Sequence, residues 1–166
     1  LNESIRFDPA APKPREAIIS YYRAHGDPTR AAEACGEALE STASPALIRA
    51  AYEIAGTTMQ GFREDDPRTT GALDLGQSLL EKVVDRAPQF ANAHRELARV
   101  YLFLRPSRRD LLPRALDLAR KAVELDPSAR NYDVLALALF RTGDVGAARA
   151  TLEEGLGADG LSLDDV

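Results

Sequence analysis

"RKAVELDPSARNYDVLALALFRTGDVGAARATLEEGL" (residues 120–156) contains three apolar runs separated by two breaks, at Pro127 and at Gly143-Asp144. Proline lacks the N–H that a helix interior needs. Glycine can close a helix in the left-handed conformation, and aspartate can cap the N-terminus of the next helix. Within the runs, apolar residues recur three and four positions apart, as one buried helix face requires. The stretch therefore predicts helices joined by tight turns.

The same punctuation recurs along the chain. An apolar helical pattern ends in proline at residues 9, 45, 88 and 127, with spacings of 36, 43 and 39 residues. Between prolines lies a second break, which is Gly-Asp at residues 26–27 and a longer polar segment at 63–71 and 105–113. Each unit is therefore predicted to be helix, turn, helix. The predicted helices cover about residues 14–25, 28–41, 45–62, 70–86, 90–104, 113–125, 129–142 and 145–156.

The composition favours helix and excludes several classes of function. The 166 residues are 45% hydrophobic and 28% charged, and Ala, Leu, Glu and Arg, all good helix formers, are abundant. The net charge of −5 argues against binding to nucleic acid. No apolar run approaches the roughly 18 residues that a membrane span needs, so membrane insertion is not expected. The single cysteine, Cys35, excludes an internal disulfide.

The repeated units resemble the tetratricopeptide repeat (TPR), a pair of antiparallel helices in about 34 residues. In the last unit the resemblance rests on Tyr132, Leu135, Ala136, Leu139, Ala148 and Leu152, and in the unit before on His94, Leu97, Ala98 and Tyr101. It implies an all-α fold, a right-handed α-solenoid of antiparallel helix pairs. Residues 11–156 would hold four pairs, at about 14–41, 45–86, 90–125 and 129–156.

Both ends of the chain fall outside these four pairs. Residues 1–10 match the end of a second repeat helix and are predicted to be that helix end or a cap, which favours a piece of a longer repeat array. Residues 157–166 are Gly-rich and acidic and predict a flexible tail. The sequence does not determine the cellular compartment. A cytoplasmic location is favoured, and a periplasmic one would follow if an upstream signal has been removed.

Chemical motifs are missing from the sequence. It contains no HExxH, no CxxC and no phosphate-binding GxxxxGK[ST]. His25 lies at a predicted helix end, and His94 and Cys35 lie at core positions of the repeat. The sequence thus predicts no enzyme, no catalytic residues, no metal site and no cofactor. The basic turn at 105–110 is interpreted as a solvated loop, with docking of an acidic partner as the second choice.

The resemblance implies a concave groove lined by the first helix of each pair. Its positions in this chain are Glu16, Ser20, Arg23, Ile48, Tyr52, Ala55, Asn92, Arg95, Arg99, Leu102, Phe103, Arg130, Asp133, Leu137, Phe140 and Arg141. Arginine can grip carboxylates at two points, and aromatic rings can form apolar pockets. We expect partner binding from eight of these residues: Arg23, Tyr52, Arg95, Arg99, Phe103, Arg130, Phe140 and Arg141. The alternative is that the arginines pair with Glu96, Asp133 and their neighbours.

Two functions follow from this interpretation. The first is a non-catalytic interaction module or scaffold that binds an extended peptide or partner protein, an acidic one by charge, in the groove. The second is a structural segment that packs on another domain or self-associates, within a larger enzyme or a secretion or assembly protein. The family's clamp for chaperone tails is not expected, because Arg99 and Val134 stand where it needs asparagine.

Overall fold

A computed structural model describes residues 12–60, 62–63 and 66–158. Every regular element in these residues is helical, so the all-α prediction is confirmed. The chain divides into two compact units, Leu1–Pro88 and Gln89–Val166, and Pro88 is one of the four punctuating prolines. The prediction for residues 1–10 lies outside the described residues.

The described residues of the first unit form two helix pairs. Their turns follow the predicted chemistry: Gly26 adopts φ 68°, and the Asp27 side chain accepts a hydrogen bond from the Arg30 amide at 3.0 Å. Ser44 caps the third helix in the same way, accepting from the Leu47 amide at 3.2 Å. These caps satisfy amides that have no partner within their helix. The helices are α1 (Pro12–Ala24), α2 (Pro28–Ser41), α3 (Pro45–Met59) and α4 (Thr70–Arg86).

The second unit also contains two pairs. Gly143 adopts φ 94°, and Asp144 accepts a hydrogen bond from the Ala147 amide at 3.0 Å, so the quoted Gly-Asp break is the tight turn it predicted. Each helix packs against the next, and α5 also contacts α7. The helices are α5 (Ala91–Arg99), continued by a π-helix (Val100–Leu104), α6 (Leu112–Leu125), α7 (Ala129–Thr142) and α8 (Val145–Ala158).

Small residues allow the paired helices to approach closely. A Cβ added at Gly76 of α4 would lie 3.0 Å from the Ala55 carbonyl oxygen on α3. A Cβ added at Gly155 of α8 would lie 2.7 Å from the Cβ of Tyr132 on α7. Larger side chains would hold these helices apart. The alanines at the close-crossing positions of the repeat are all buried: Ala31, Ala51, Ala98, Ala115, Ala122, Ala136 and Ala148.

Several details of the helices differ from the sequence prediction. The α3 helix ends at Met59, three residues before the predicted end. The segment predicted as one helix over 90–104 changes to a π-helix at Val100. The last helix continues to Ala158, two residues into the predicted tail, since a single glycine weakens a helix by about 1 kcal/mol without ending it. The rest of that tail lies outside the described residues.

Candidate functional site

An open cavity of about 590 Å³ lies in the second unit, on one side of α5 and α7. It contains four of the eight residues from which we expect binding, and two further groove positions. These four are Arg95, Arg99, Phe103 and Arg130; the other lining residues are Glu96, Asp133, Val134 and Leu137. Three arginines and two carboxylates give the lining a formal charge of +1.

Helix spacing brings these side chains to one side. Residues three and four apart share a helix face, so Arg95, Arg99 and Phe103 follow one another along α5. In an α-helix a step of four residues overshoots one turn by about 40°. The wider turn of the π-helix reduces that overshoot after Arg99. Phe103 consequently lines the cavity, with 55% of its surface exposed.

Glu96 pairs with both arginines of α5. Its Oε1 lies 3.3 Å from Nη2 of Arg95, and its Oε2 lies 3.3 Å from Nη1 of Arg99. For Arg95 and Arg99 the structure therefore agrees with the alternative interpretation, in which the arginines pair with neighbouring carboxylates. Arg99 remains 52% exposed, so its pair with Glu96 is screened by water and open to exchange for another carboxylate.

Arg95 forms part of the cavity wall, and its charge is not available to a partner. Its side chain is only 12% exposed, and its Nη1 donates to the side-chain oxygens of Asn92 at 2.9 Å and Asn131 at 3.5 Å. The fully buried Asn131 in turn donates to the carbonyl oxygens of Asp126 at 2.6 Å and Ala122 at 3.3 Å. A buried amide that makes these bonds ties the start of α7 to the end of α6.

The sequence analysis did not single out Asn131. A signal for it existed, because Asn131 lies three residues before Val134 and seven before Ala138, on the buried stripe of α7. A polar residue on a buried stripe needs hydrogen-bond partners and therefore marks a specific contact.

Arg130 differs from the arginines of α5. It is exposed at the start of α7, and within the described residues its side chain makes no ion pair or hydrogen bond. Asp133, one turn later on α7, is also exposed. Arg130 is thus the lining cation with the greatest capacity to accept a new carboxylate partner.

Arg141 lies outside the cavity lining and braces the end of α5. Its Nη1 donates to the Leu102 carbonyl oxygen and its Nη2 to the Pro106 carbonyl oxygen, each at 3.2 Å. Carbonyl groups at a helix C-terminus lack partners within the helix, and a cation is favoured there. Phe140, 58% exposed, lies one turn beyond Leu137 on α7 and likewise does not line the cavity.

The remaining two expected residues, Arg23 and Tyr52, belong to the first unit. Nη2 of Arg23 on α1 lies 3.1 Å from Oε2 of Glu53 on α3. Tyr52 on α3 is half-buried. A smaller cavity of about 300 Å³ lies between α1 and α2, and neither residue lines it.

Cys35 and His25 are both engaged in packing or local contacts. Burial raises the pKa of the Cys35 thiol to about 12, partly offset by the charge of Arg23, so the thiol is protonated and inert at neutral pH. The ring of His25 stacks on Tyr21, and its Nδ1 lies 2.8 Å from the Tyr21 carbonyl oxygen. Among the described residues no three His, Cys, Asp or Glu side chains are grouped to hold a metal.

The helices of the described residues also lack a membrane-spanning candidate, since none combines sufficient length with sufficient apolar character.

No family model and no curated protein matches this chain. Solved structures do. A crystal structure of MamA has a TM-score of 0.63 at 16% identity, covering 96% of this chain and 84% of that one. The 41–end segment of MamA from Desulfovibrio magneticus RS-1 has a TM-score of 0.60 at 18% identity, covering 92% and 77%. A thermophilic TPR protein of Thermus thermophilus has a TM-score of 0.59 at 20% identity, covering 98% and 81%. The resemblance to TPR proteins is confirmed at the level of the fold.

Proposed function

We propose that this chain is a non-catalytic protein-interaction module that holds an extended, acidic peptide segment of a partner protein in the cavity between α5 and α7. The observation that carries this proposal is the exposed Arg130, which has no ion-pair partner within the described residues, beside the half-exposed Arg99 and Phe103. Arginine forks bind carboxylates at two points, and an exposed ring offers apolar contact area.

The lining itself favours binding over catalysis. The eight residues that form it include no histidine, cysteine, serine, threonine or lysine, so a Ser–His or Cys–His pair is not available among them. Glu96, one of the two carboxylates, is occupied by two arginines. The fold likeness to a TPR protein is consistent with an interaction module.

Selection from a random peptide library displayed on phage tests the proposal. The enriched peptides are synthesised with a fluorescent label, and their affinities are measured by anisotropy. The cavity variant carries Arg99→Glu and Arg130→Glu. The matched control carries Arg120→Glu and Arg149→Glu, which makes the same change in charge at exposed arginines outside the cavity.

We expect the cavity variant to lose at least about tenfold in affinity, corresponding to roughly 1.4 kcal/mol, while the control binds like wild type. Circular dichroism should show unchanged helicity in both variants. Equal loss in both, or no peptide that depends on the cavity, would contradict the proposal.

Self-association is a second candidate function, and one observation favours it. Val145 and Leu152 are both exposed on α8 and are seven residues apart, so they share a helix face. Light scattering across protein concentration tests this candidate. A dimer that becomes monomeric in Val145→Ser/Leu152→Ser would support it, and a wild-type monomer at every concentration would exclude it.

A further inference from the structure

Along α7 the charged and apolar groups of the cavity are separated, whereas on α5 the guanidinium carbon of Arg99 lies 5.9 Å from the centre of the Phe103 ring. The start of α5 meets the start of α7 where Arg95 donates to Asn131, and the ends of both helices meet where Arg141 donates to Leu102. The two helices therefore run in the same direction. Arg130 marks the start of the cavity, whereas Phe103 and Leu137 lie toward the helix ends.

We propose that the cavity selects a peptide by the spacing of two side chains, an acidic one held at Arg130 and an apolar one held at Phe103 and Leu137. This inference rests on the proposed function and adds the pattern that the bound segment must carry. The two contacts are of different chemistry. A carboxylate at the apolar end would have to compete with Glu96 for Arg99, whereas Arg130 makes no ion pair within the described residues.

Helix geometry sets the spacing. From Arg130 to Leu137 the rise along α7 is about 10 Å. An extended peptide advances about 3.3 Å per residue, so the apolar side chain should lie about three residues from the acidic one. Closer or wider spacings would leave one contact unmade.

The distribution of charge along α7 favours the same order of acidic and apolar side chains. The start of a helix carries partial positive charge, which favours an anion close to Arg130. The exposed carboxylate of Asp133 follows one turn later, on the way to the apolar end. It repels a second acidic side chain there. The intervening residues of the bound peptide should therefore lack carboxylates.

The frame that sets this spacing is braced at both ends. At the start, buried Asn131 connects Arg95 to the end of α6. At the far end, Arg141 holds the carbonyl groups of Leu102 and Pro106. Braced helices keep a fixed separation between their contact points, which is a condition for reading spacing in a flexible ligand.

The test uses the wild-type chain and a labelled peptide selected as above. Serine residues are inserted or deleted between its acidic and its apolar side chain, and each peptide is titrated by anisotropy. We expect an affinity maximum at the predicted spacing and a loss of about tenfold when the two side chains are adjacent. A matched set varies the length outside this interval and should leave affinity unchanged.

Two protein variants identify the contacts. With Phe103→Ser, replacing the peptide's apolar residue by serine should cost less affinity than it does with wild type, and with Arg130→Ala the same holds for its acidic residue. Tyr21→Ser, at an exposed aromatic residue outside the cavity, is the control. Affinity that is independent of spacing would overturn this inference and leave the proposed function standing. A library that yields no cavity-dependent peptide would overturn both.

Discussion

The guanidinium of Arg141 donates a hydrogen bond from Nη1 to the backbone carbonyl oxygen of Leu102, at an N–O distance of 3.2 Å. The two residues are 39 positions apart, and the bond connects α7 to the π-helix that ends α5. A residue expected to contact the partner therefore supports the residues beside it, and Phe103 is the neighbour of the carbonyl group that it holds.

Replacement of Arg141 by methionine should loosen the end of α5. The change removes two hydrogen bonds from a charged donor, and we expect the free energy of unfolding to fall by about 1–2 kcal/mol. Urea unfolding followed by circular dichroism measures this loss, and amide hydrogen exchange should accelerate over residues 102–106. The control, Arg149→Met, removes an exposed ion pair on α8 and should cost less than about 0.5 kcal/mol. Equal losses in the two variants would contradict the bracing role.

Gly76 and Gly56 should respond to alanine with opposite signs. A Cβ at Gly76 would collide with Met59 and approach the Ala55 carbonyl oxygen, so Gly76→Ala should destabilise the chain by about 1–3 kcal/mol. A Cβ at Gly56, inside α3, meets nothing within 4 Å. Gly56→Ala should stabilise by about 0.5–1 kcal/mol through helix propensity. Urea unfolding midpoints of the two variants measure both effects. If Gly76→Ala stabilised the chain, the close crossing of α3 and α4 would be refuted.

The thiol of Cys35 should react only when the chain opens. Thiol reagents attack the thiolate, and burial raises the pKa of Cys35 from an ordinary value of 9.0 to about 12. At pH 8 we expect labelling by a disulfide reagent to be complete within seconds in denaturant and slower by orders of magnitude in the folded chain. Fast labelling of the folded chain would contradict this burial.

The same raised pKa of Cys35 predicts that the folded chain loses stability at alkaline pH. A thiol whose pKa is raised in the folded state ionises first in the unfolded state, so its contribution to stability is complete below pH 9.0 and is lost as pH rises toward about 12. The stability of Cys35→Ala relative to wild type should therefore improve over that window. Urea midpoints measured from pH 8 upward test the sign.

An ion pair between α4 and α2 should make the stability of the chain depend on pH in the acidic range. Lys82 donates to a Glu40 carboxylate oxygen at 3.0 Å, and this hydrogen bond lowers the pKa of Glu40 below its ordinary 4.5. A lowered pKa means that the stabilisation is present above pH 4.5 and is lost as pH falls through the folded-state value. Glu40→Gln should thus be less stable than wild type at pH 7 and converge with it in acid.

Its control is Glu37→Gln on the same helix, since Glu37 is exposed and forms no ion pair within the described residues. The Glu37 variant should match wild type throughout. Because the Glu40 side chain is 71% exposed, added salt should reduce the Glu40 effect at pH 7. A Glu40 effect that persists in acid and in salt would point to a contact other than the Lys82 ion pair.

Local chemistry explains which parts of the fold could be predicted from sequence. The Gly143-Asp144 turn and the Asp27 cap need only residues adjacent in the chain, so their composition predicts them. The shared face of Arg95 and Arg99 likewise follows from helical spacing. Their common partner Glu96 was an open alternative, because sequence spacing permits that pairing without selecting it over a solvated side chain.

Other features depend on residues that are distant in the chain. Nothing local in "VYLFL" (residues 100–104) marks a π-helix, and the hydrogen bonds from Arg141 that accompany it come from another helix. Asn131 is similar, since its buried amide acts across 36 residues on Arg95. Such contacts become evident only when the packing of α5, α6 and α7 is known.

The π-helix at the end of α5 also constrains any attempt to graft this surface onto another scaffold. Replacing Val100–Leu104 by a straight α-helical segment of equal length would change the directions in which the side chains of this segment point, that of Phe103 among them. Each residue of an α-helix turns the chain by about 100°, so a shift in register of one residue is enough to carry an aromatic ring to a different side. A transplanted α5 must therefore be moved together with its π-helix at full length and with Arg141 of α7, which anchors that end.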